Sequence, residues 1–390
     1  MKPQTVPTLA ECLARADQTR ALVIGENCYR EVPGLLKKHY DFDAVYLAAD
    51  GTTWEAAGAK ARTALEDAGI PVAGTLVFPA SPRLHAEYYN IKALTAAISS
   101  LSGHKRIVPI AAGAGTVNDL LKRAAFELGL PYLCLPTAAS VDGYTAFGAS
   151  ILMDGFKQTI PCAAPLALAA DTAVLARAPA YLSSSGFGDL ASKIIAGSDW
   201  IIADKAGRLG APEAHAIDET AWNMTQPGLM DYLERSRDAA KGDKDAVNAL
   251  FEALAVTGFS MQYMKTSRPV SGSEHLFSHV WEMEDLSVNG EPVTHGHKVT
   301  IGTLAATAFT EIFFESPEGP PPSPAGRSRP APEARRQEAS EAFAGSRAHD
   351  GIVKTAAEKL MDEKTARGLD GAFRDSWKEL REQIHAQILP

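Results

Sequence analysis

The chain up to Asp171 alternates short apolar runs with longer stretches whose apolar positions recur every three or four residues. Short buried strands that alternate with longer helices are typical of a mostly parallel sheet with right-handed crossovers. The predicted strands are residues 21–25, 44–47, 74–78, 106–110 and 132–135, and the predicted helices include 53–68, 84–100 and 117–128. We therefore predict an α/β fold that begins with a doubly wound domain over residues 1–180.

Beyond Asp171 the pattern becomes helical. Residues 188–265 and 298–315 are rich in Ala, Leu, Met, Glu and Lys at helical spacing, which predicts an all-helical second domain over 181–390 that begins after a polar turn at 183–186. A proline-rich stretch at 316–333 interrupts this pattern and is expected to be a loop or linker. The remaining residues return to helical composition and are expected to pack back on the helical domain.

Composition narrows the class of protein. The 390 residues are 46% hydrophobic and 22% charged, as in ordinary globular enzymes, and the net charge of −9 argues against nucleic acid or an anionic membrane as the main partner. The sequence shows no secretory leader and no apolar run of about 18 residues, so no membrane span is expected. The four cysteines share no CxxC spacing, which favours a reducing compartment, and we expect the cytoplasm.

A cluster of histidines is the strongest local signal for chemistry. Four of the ten histidines fall within 23 residues: His275 and His279, then His295 and His297. The first two share one face of a helix, and a turn predicted at 289–292 brings the next helix back alongside. Two such helices and one carboxylate form a three-ligand catalytic metal site. Spacing alone chooses neither His275 over His279 nor His295 over His297.

The candidate carboxylate is Asp189, which follows Gly186 and Gly188 at a predicted helix start. Glycines beside a carboxylate allow the backbone to approach a ligand closely. The alternative is that Asp189 caps a helix that runs to about Ile202, and on local grounds alone the cap is favoured.

A glycine-rich turn suggests a phosphate site. Gly113, Gly115 and Thr116 follow the predicted strand 106–110 directly, and Asp119 lies one turn further on. A strand, a glycine turn and a helix N-terminus together receive a phosphate or pyrophosphate on backbone N–H groups. The segment is neither a GxGxxG fingerprint nor a P-loop, and a tight turn needs glycine in any case.

Other strand ends offer polar residues. Asp50 lies where an acidic residue can hold a ribose, although Asp50-Gly51 is also an ordinary turn pair. Residues 136–144 follow another strand and suit contacts with cofactor or substrate, or form a plain polar loop. Lys157 is the nearest basic candidate for a substrate phosphate, although most lysines are simply solvated.

Six segments, taken in order, resemble the sn-glycerol-1-phosphate dehydrogenase family, within the superfamily of iron-containing alcohol dehydrogenases, glycerol dehydrogenases and dehydroquinate synthases. The segments are GAGTVND (113–119), PTAASVDGY (136–144), DGFKQTIPCAAPLALAADT (154–172), GFGDLASK (186–193), SGSEHLFSHVWEM (271–283) and THGHKVTIGTL (294–304). The match spans most of residues 20–305. It implies a Rossmann-like N-terminal domain, a helical C-terminal domain and an active site in the cleft between them.

The resemblance also implies the metal ligands. The aspartate of GFGD, the first histidine of SGSEHxxxH and the histidine of the HG motif fall on Asp189, His275 and His295. His279 then lies behind the ligands or contacts the substrate. His297 stands where the family commonly has Glu after HG, which changes the local charge.

Roles for the remaining site residues come from the same resemblance. The turn with Gly113, Gly115, Thr116 and Asp119 receives the cofactor pyrophosphate. The resemblance further implies that Asp50, Thr137 and Ser140 line the cofactor site and that Asp142 contacts the substrate. Lys157, as the nearest basic residue, is expected to pair with the substrate phosphate.

The implied reaction is the reversible reduction of dihydroxyacetone phosphate to sn-glycerol 1-phosphate by NADH or NADPH, in phospholipid metabolism. Asp50 favours NADH, because a carboxylate disfavours a 2′-phosphate. The divalent metal is expected to be zinc, with nickel or iron as alternatives on the same ligands. We expect a homo-oligomer, a dimer or larger. Three other functions remain open: a dehydrogenase of an unphosphorylated polyol such as glycerol, a cyclising lyase like dehydroquinate synthase, and a cofactor-binding protein without turnover.

Overall fold

The structure is a computed structural model that describes residues 6–101, 106–153, 156–207, 216–320, 331–346, 348–358, 368, 371 and 373–388. Its described residues group into two compact units, each made of several chain segments. The first unit runs to residue 153 and adds 158–190 and 223–267. The second unit comprises 154–157, 191–222 and the residues from 268 onward. The predicted division at residue 180 stays a prediction.

A six-stranded sheet forms the centre of the first unit, with every pairing parallel and the order β1-β8-β5-β4-β2-β3. In chain order, the strands of this region are β1 (Ala21–Gly25), β2 (Ala44–Asp50), β3 (Val72–Phe78), β4 (Ile107–Gly113), β5 (Leu133–Pro136), β6 (Ala149–Met153), β7 (Phe156–Ile160) and β8 (Ala167–Asp171), and all but β6 and β7 belong to the six-stranded sheet. Strands β6 and β7 form a separate two-stranded sheet, and Leu152 of β6 also bridges to Glu87. β4, β5 and β8 are buried along their whole length, as the strands of a parallel sheet covered on both faces must be.

Helices make up most of the rest of the described chain, and one of them, α13, spans 21 residues. Three short non-α segments are Cys28–Glu31 and Asp142–Tyr144, which are 3-10 turns, and Trp54–Gly58, which is a π turn. The α-helices are α1 (Leu9–Arg15), α2 (Val32–His39), α3 (Gly51–Thr53), α4 (Ala59–Asp67), α5 (Tyr88–Ser99), α6 (Gly115–Glu127), α7 (Thr172–Arg177), α8 (Ala180–Ala191), α9 (Lys193–Gly207), α10 (Glu219–Thr225), α11 (Leu229–Leu233), α12 (Ser236–Ala239), α13 (Lys244–Met264), α14 (Ser273–Met283), α15 (His295–Phe313), α16 (Pro332–Ala342), α17 (His349–Glu358) and α18 (Trp377–Ile388).

The predicted fold class is confirmed. All five predicted strands and all three predicted helices of the N-terminal part are present, within a few residues of their expected bounds. The sequence prediction missed β8, because its alanine-rich run ALAAD carries little strand propensity, and it missed the pair of strands β6 and β7.

Among the described residues after Asp171 the helical character is also confirmed, with one exception. A small hairpin joins β9 (Ser287–Val288) to β10 (Glu291–Pro292) between α14 and α15. Asn289 and Gly290 form its turn with φ values of 54° and 82°, a left-handed pair that suits a two-residue hairpin. The predicted turn at 289–292 therefore has the expected effect of joining two helices.

The predicted polar turn at 183–186 is wrong. These residues lie inside α8, and Ser185 is buried, with its Oγ donating to the carbonyl oxygen of Ser140 at 3.2 Å. Small polar side chains occur here because α8 packs closely against the loop that contains Ser140, and the helix runs through them without a break.

The C-terminal helices pack within the second unit as expected. Trp377 at the start of α18 donates its Nε1–H to the carbonyl oxygen of Ser316 at 2.8 Å, and Arg381 donates to that of Phe314 at 2.8 Å. The middle of the predicted proline-rich loop, residues 321–330, lies outside the described residues, whereas Pro332 already begins α16. In the described parts of the chain no helix has the length and apolarity needed to cross a membrane.

Candidate metal centre and cofactor site

The predicted cofactor residues of the first unit gather at the carboxyl ends of β2, β4 and β5. The chain passes outward from β2 to β3, then returns to the other side of β2 and continues through β4 to β5. The strand order therefore reverses between β2, which ends at Asp50, and β4, which ends at Gly113. Ligands of open α/β sheets bind at the carboxyl ends of the strands at such a reversal.

The glycine turn after β4 is shaped for a close backbone approach. A Cβ on Gly113 would overlap the Cβ of Val117 and lie 2.8 Å from its two methyl groups, so only glycine fits there. Helix α6 begins at Gly115, and its N-cap residue Ala114 offers no side-chain acceptor to the first N–H groups. A helix of 13 residues that begins without a side-chain cap can present its N–H groups and Thr116 to an anion.

Two acidic residues assigned to the cofactor site already have structural partners. Asp50 caps α3: its Oδ1 accepts from the Thr53 backbone N–H at 2.9 Å, while the Thr53 hydroxyl accepts from the Asp50 N–H at 3.0 Å. Asp119 accepts from the Ser150 N–H at 3.3 Å and lies 3.5 Å from the Lys122 ammonium. Their contacts with a cofactor remain predictions.

Lys122 holds the loop that follows β5. Its ammonium is fully buried and donates to the carbonyl oxygens of Gly143, Ala146 and Gly148 at 2.8, 3.1 and 3.0 Å. These bonds fix the path of the chain beyond Asp142. A buried ammonium is tolerated only when its donors are satisfied, so this loop and Lys122 depend on each other.

Thr137 and Ser140 lie earlier in the same loop and are both buried. The Thr137 N–H donates to the carbonyl oxygen of Gly113 at 3.3 Å, which ties the loop to the glycine turn. The Ser140 hydroxyl lies 3.2 Å from the hydroxyl of Tyr144. The structure thus ties Thr137 to Gly113, and Ser140 follows three residues later in the same loop.

Two glycines allow helices to press against this loop. A Cβ on Gly186 of α8 would collide with the Ala139 carbonyl oxygen, and a Cβ on Gly258 of α13 would collide with the Thr145 hydroxyl. The close packing of α8 and α13 against this loop therefore requires glycine at both positions.

Asp189 lies in the last turn of α8 and is fully buried. Its Oδ2 accepts a hydrogen bond from the backbone N–H of Asp142 at 2.9 Å. The alternative that Asp189 caps a helix is wrong, because α8 begins nine residues earlier, at Ala180. Asp189 is therefore a fully buried carboxylate that is hydrogen-bonded to the loop after β5.

The histidines lie on two successive helices of the second unit. His275 is near the start of α14 and His295 is the first residue of α15, with their ring centroids 5.4 Å apart. His279 follows one turn after His275, with a centroid separation of 6.2 Å. His275 and His295 therefore offer two imidazoles side by side, and imidazole nitrogens are common ligands of metal ions.

Each of the two paired imidazoles contacts a glutamate of α14. Nδ1 of His275 lies 2.7 Å from Glu274 Oε1, and Nδ1 of His295 lies 2.7 Å from Glu282 Oε1. Glu282 also forms an ion pair with Lys157. Lys157 therefore lies beside the histidines, already paired with a carboxylate.

Burial and neighbouring charges shift the pKa values of the groups around the histidines. Burial raises the pKa of Glu282, but Lys157 and then His295 lower it, and the net pKa lies well below its usual range. Burial, followed by the nearby Lys157, lowers the pKa of His279 to about 3. The carboxylate is therefore charged and the His279 imidazole neutral near pH 7.

His297 is the third residue of α15, two positions after His295. Its backbone N–H donates to the Thr294 hydroxyl, the N-cap of α15, at 3.4 Å, and burial lowers the pKa of its imidazole. The next helical residue, Lys298, is buried and lies 4.0 Å from Glu282.

Sequence reasoning missed Glu274, Glu282 and Lys122. Glu274 adjoins His275 in the motif, and Glu282 lies seven residues after it, on the same helix face. That spacing was a signal that could have found both glutamates. Nothing in the local sequence distinguishes Lys122 from a surface lysine, since the loop it holds follows it in the chain.

Comparison with known proteins shows the family to which the chain belongs. Residues 23–179 match the family model described as iron-containing alcohol dehydrogenase. A relative from Bacillus velezensis is 36% identical over 282 residues, which cover 72% of this chain and 69% of the relative. The chain therefore belongs to the iron-containing alcohol dehydrogenase family, as the motifs predicted.

Within that family the chain is similar to glycerol-1-phosphate dehydrogenases [NAD(P)+]. That is the name of the Bacillus velezensis relative and also of one from Bacillus licheniformis, which is 34% identical over 75% of this chain and 70% of its own length. The fold is shared with the crystal structure of glycerol dehydrogenase from Schizosaccharomyces pombe. That match has a TM-score of 0.57 and 18% identity, and covers 95% of this chain and 91% of the other.

Proposed function

We propose that the protein is a metal-dependent, NAD(P)-linked oxidoreductase that interconverts dihydroxyacetone phosphate and sn-glycerol 1-phosphate. Two glycerol-1-phosphate dehydrogenases that match over about 70% of their length support the substrate class. The observation that carries the proposal is the pair of imidazoles of His275 and His295. Their ring centroids lie 5.4 Å apart, and Nδ1 of each ring contacts a glutamate.

Asp189, His275 and His295 are the proposed metal ligands. One carboxylate and two imidazoles are donors that suit zinc, and nickel or iron can occupy the same set. The full burial of Asp189 fits this role, because a cation would offset the cost of removing its charge from water. When bound, a divalent metal supplies Lewis-acid polarisation of an oxygen atom of the substrate.

The carboxyl ends of β2, β4 and β5 are the proposed dinucleotide site. The N-terminus of α6, with Gly113, Gly115 and Thr116, would receive the pyrophosphate on backbone N–H groups. Asp50, Asp119, Thr137 and Ser140 complete the proposed set. Asp50 faces competition from its own role as the cap of α3, so its preference for NADH over NADPH belongs to the proposal.

When bound, the reduced nicotinamide would supply the hydride for the carbonyl carbon and end as NAD(P)+, while a proton delivered to the carbonyl oxygen would complete the alcohol. His279 is the proposed proton relay, together with water. Asp142 would orient the substrate hydroxyl groups, and Lys157 would pair with the phosphate. We also propose that the protein acts in the cytoplasm as a homo-oligomer.

The test is NADH oxidation by the purified protein with dihydroxyacetone phosphate, and separately with dihydroxyacetone. We expect the phosphorylated ketone to react faster, chelation to abolish the rate, and zinc or nickel to restore it. Asp189→Asn should lose bound metal and reduce kcat/KM by at least about a thousandfold, because the metal contributes several kcal/mol to the transition state.

Asp231→Asn is the control, since Asp231 is exposed on α11. Unchanged metal content and unchanged NADH oxidation in Asp189→Asn would contradict the proposal. A preference for dihydroxyacetone over its phosphate would favour the unphosphorylated polyol instead.

A further inference from the structure

We infer that Glu274 and Glu282 are positioning residues that hold His275 and His295 through Nδ1 and so make Nε2 of each ring the metal ligand. The inference rests on the proposed metal site and adds to it which ring nitrogen binds and what orients the ring. Both glutamates belong to α14, so one helix would orient the imidazoles of two helices.

Glu274 is completely buried, and its carboxylate contacts its partners among the described residues through one oxygen. Oε1 lies 2.7 Å from Nδ1 of His275 and also accepts the Gly272 N–H at 2.8 Å. Oε2 has no hydrogen-bond partner among the described residues. Burying a carboxylate with one oxygen unsatisfied is unfavourable, so the position makes sense when the carboxylate serves the imidazole beside it.

Glu282 has partners on both carboxylate oxygens, unlike Glu274. Its Oε1 lies 2.7 Å from Nδ1 of His295, its Oε2 pairs with Lys157, and Lys298 lies 4.0 Å away. Two lysines on different elements thus keep this carboxylate charged and in place. The side chain of Glu282 is only 11% exposed, so water screens these interactions weakly.

The chemistry of imidazole joins the two contacts. A neutral imidazole carries one N–H, and a carboxylate beside Nδ1 keeps the hydrogen there by accepting a hydrogen bond from it, which leaves the lone pair on Nε2 for a metal. Carboxylates in this position also raise the basicity of the ring and fix its orientation. The same arrangement at both histidines argues that it is a feature of the site and not a chance contact.

Packing keeps α14 and α15 in this relation. A Cβ on Gly302 of α15 would collide with the backbone carbonyl oxygen of Glu274, so only glycine allows the two helices to come this close. The glutamates of α14 can therefore act on His295 across the helix contact as well as on His275 beside them.

The experiment measures the zinc affinity of metal-stripped protein by competition with a chromophoric chelator. Glu274→Gln and Glu282→Gln should each bind zinc about 10- to 100-fold more weakly, which is the usual effect of removing such a partner. Glu284→Gln is the matched control, because Glu284 is exposed at the end of the same helix, and its affinity should equal that of the wild type.

A double-variant comparison separates positioning from a general structural role. If Glu274 acts through His275, adding Glu274→Gln to His275→Ala should weaken zinc binding no further, and likewise for Glu282→Gln on His295→Ala. Losses that multiply would overturn the inference, as would wild-type affinity in both single glutamate variants. Thermal unfolding in the presence of chelator checks that each variant is folded.

A measurement on the unaltered protein covers the case in which a glutamate variant does not fold. Ring nitrogen-15 NMR of zinc-loaded, histidine-labelled protein should show metal-bound Nε2 and protonated Nδ1 at two residues, and metal-bound Nδ1 would overturn the inference. If Asp189→Asn, His275→Ala and His295→Ala all keep wild-type zinc affinity, the proposed site itself is wrong. Loss in those three variants with none in the glutamate variants defeats only the positioning role.

Discussion

The carboxyl ends of β2, β4 and β5, called here the sheet end, differ in kind from the helix pair α14–α15. At the sheet end, fit depends on the backbone: Gly113 admits no side chain, and α6 begins without a side-chain cap. On the helix pair, fit depends on charge, because buried carboxylates, imidazoles and lysines contact one another directly.

The difference follows from what each region is proposed to bind. A pyrophosphate is large and already charged, so N–H groups and space suffice to receive it. A metal ion is small and demands donors in one protonation state, which neighbouring charges must enforce. We therefore expect added bulk to damage the sheet end, and altered charge to damage the helix pair.

Substitution of Lys122 should have the largest effect on stability, and it tests whether a buried charge also matters close to the sheet end. Lys122→Met should destabilise the protein by about 3–5 kcal/mol, since it leaves Asp119 and three carbonyl oxygens without their ammonium. Urea unfolding measures this loss. Lys92→Met on α5, an exposed position, should change stability by less than about 0.5 kcal/mol. A similar small change in Lys122→Met would show that the loop does not depend on the buried charge.

Gly113→Ala tests the claim that shape governs the sheet end. The new methyl group overlaps Val117, so we expect a loss of about 1–3 kcal/mol in stability and weaker NADH binding by fluorescence titration. Zinc affinity should not change.

Gly25→Ala is the matched control for that variant. Gly25 ends β1 as Gly113 ends β4, but a Cβ there meets nothing within 4 Å. Adding Val117→Ala to Gly113→Ala should recover part of the NADH affinity. No recovery would mean that the overlap with Val117 is not the cause.

Lys157→Ala sharpens the account of the helix pair. If Lys157 pairs with the substrate phosphate, KM for dihydroxyacetone phosphate should rise about tenfold while the kinetics with dihydroxyacetone stay the same. Because Lys157 also pairs with Glu282, zinc content must be measured on the same variant. Equal losses with both ketones would assign Lys157 to holding Glu282 instead of the phosphate.

Asp199→Asn should have the smallest effect. Burial raises the pKa of Asp199, and the carboxylate of Glu274 adds to the rise. A carboxyl group whose pKa is raised by folding stabilises the fold at low pH and loses that contribution as pH rises above about 4. The variant should therefore gain stability relative to the wild type as pH increases. A difference in unfolding free energy that is constant with pH would contradict this.

The sequence predicted the strands and helices of the doubly wound part well, because the local spacing of apolar residues indicates strands such as β4 and helices such as α6. Asp189 shows its limit: the local pattern favoured a helix cap, and only the ordered set of motifs singled it out. Glu282 shows another, because its partner Lys157 is 125 residues away and no local signal joins the two.

The loop from Thr137 to Gly148 carries a practical consequence for redesign. Lys122 bonds its carbonyl oxygens, while Gly186 and Gly258 let two helices press against it, so its main-chain path is fixed from several directions at once. An engineer who wants a different cofactor or substrate should exchange the side chains at Ser140 and Asp142 and leave the supporting residues alone. Because the support acts on the main chain, we expect the loop to resist changes in its length more than changes in these two side chains.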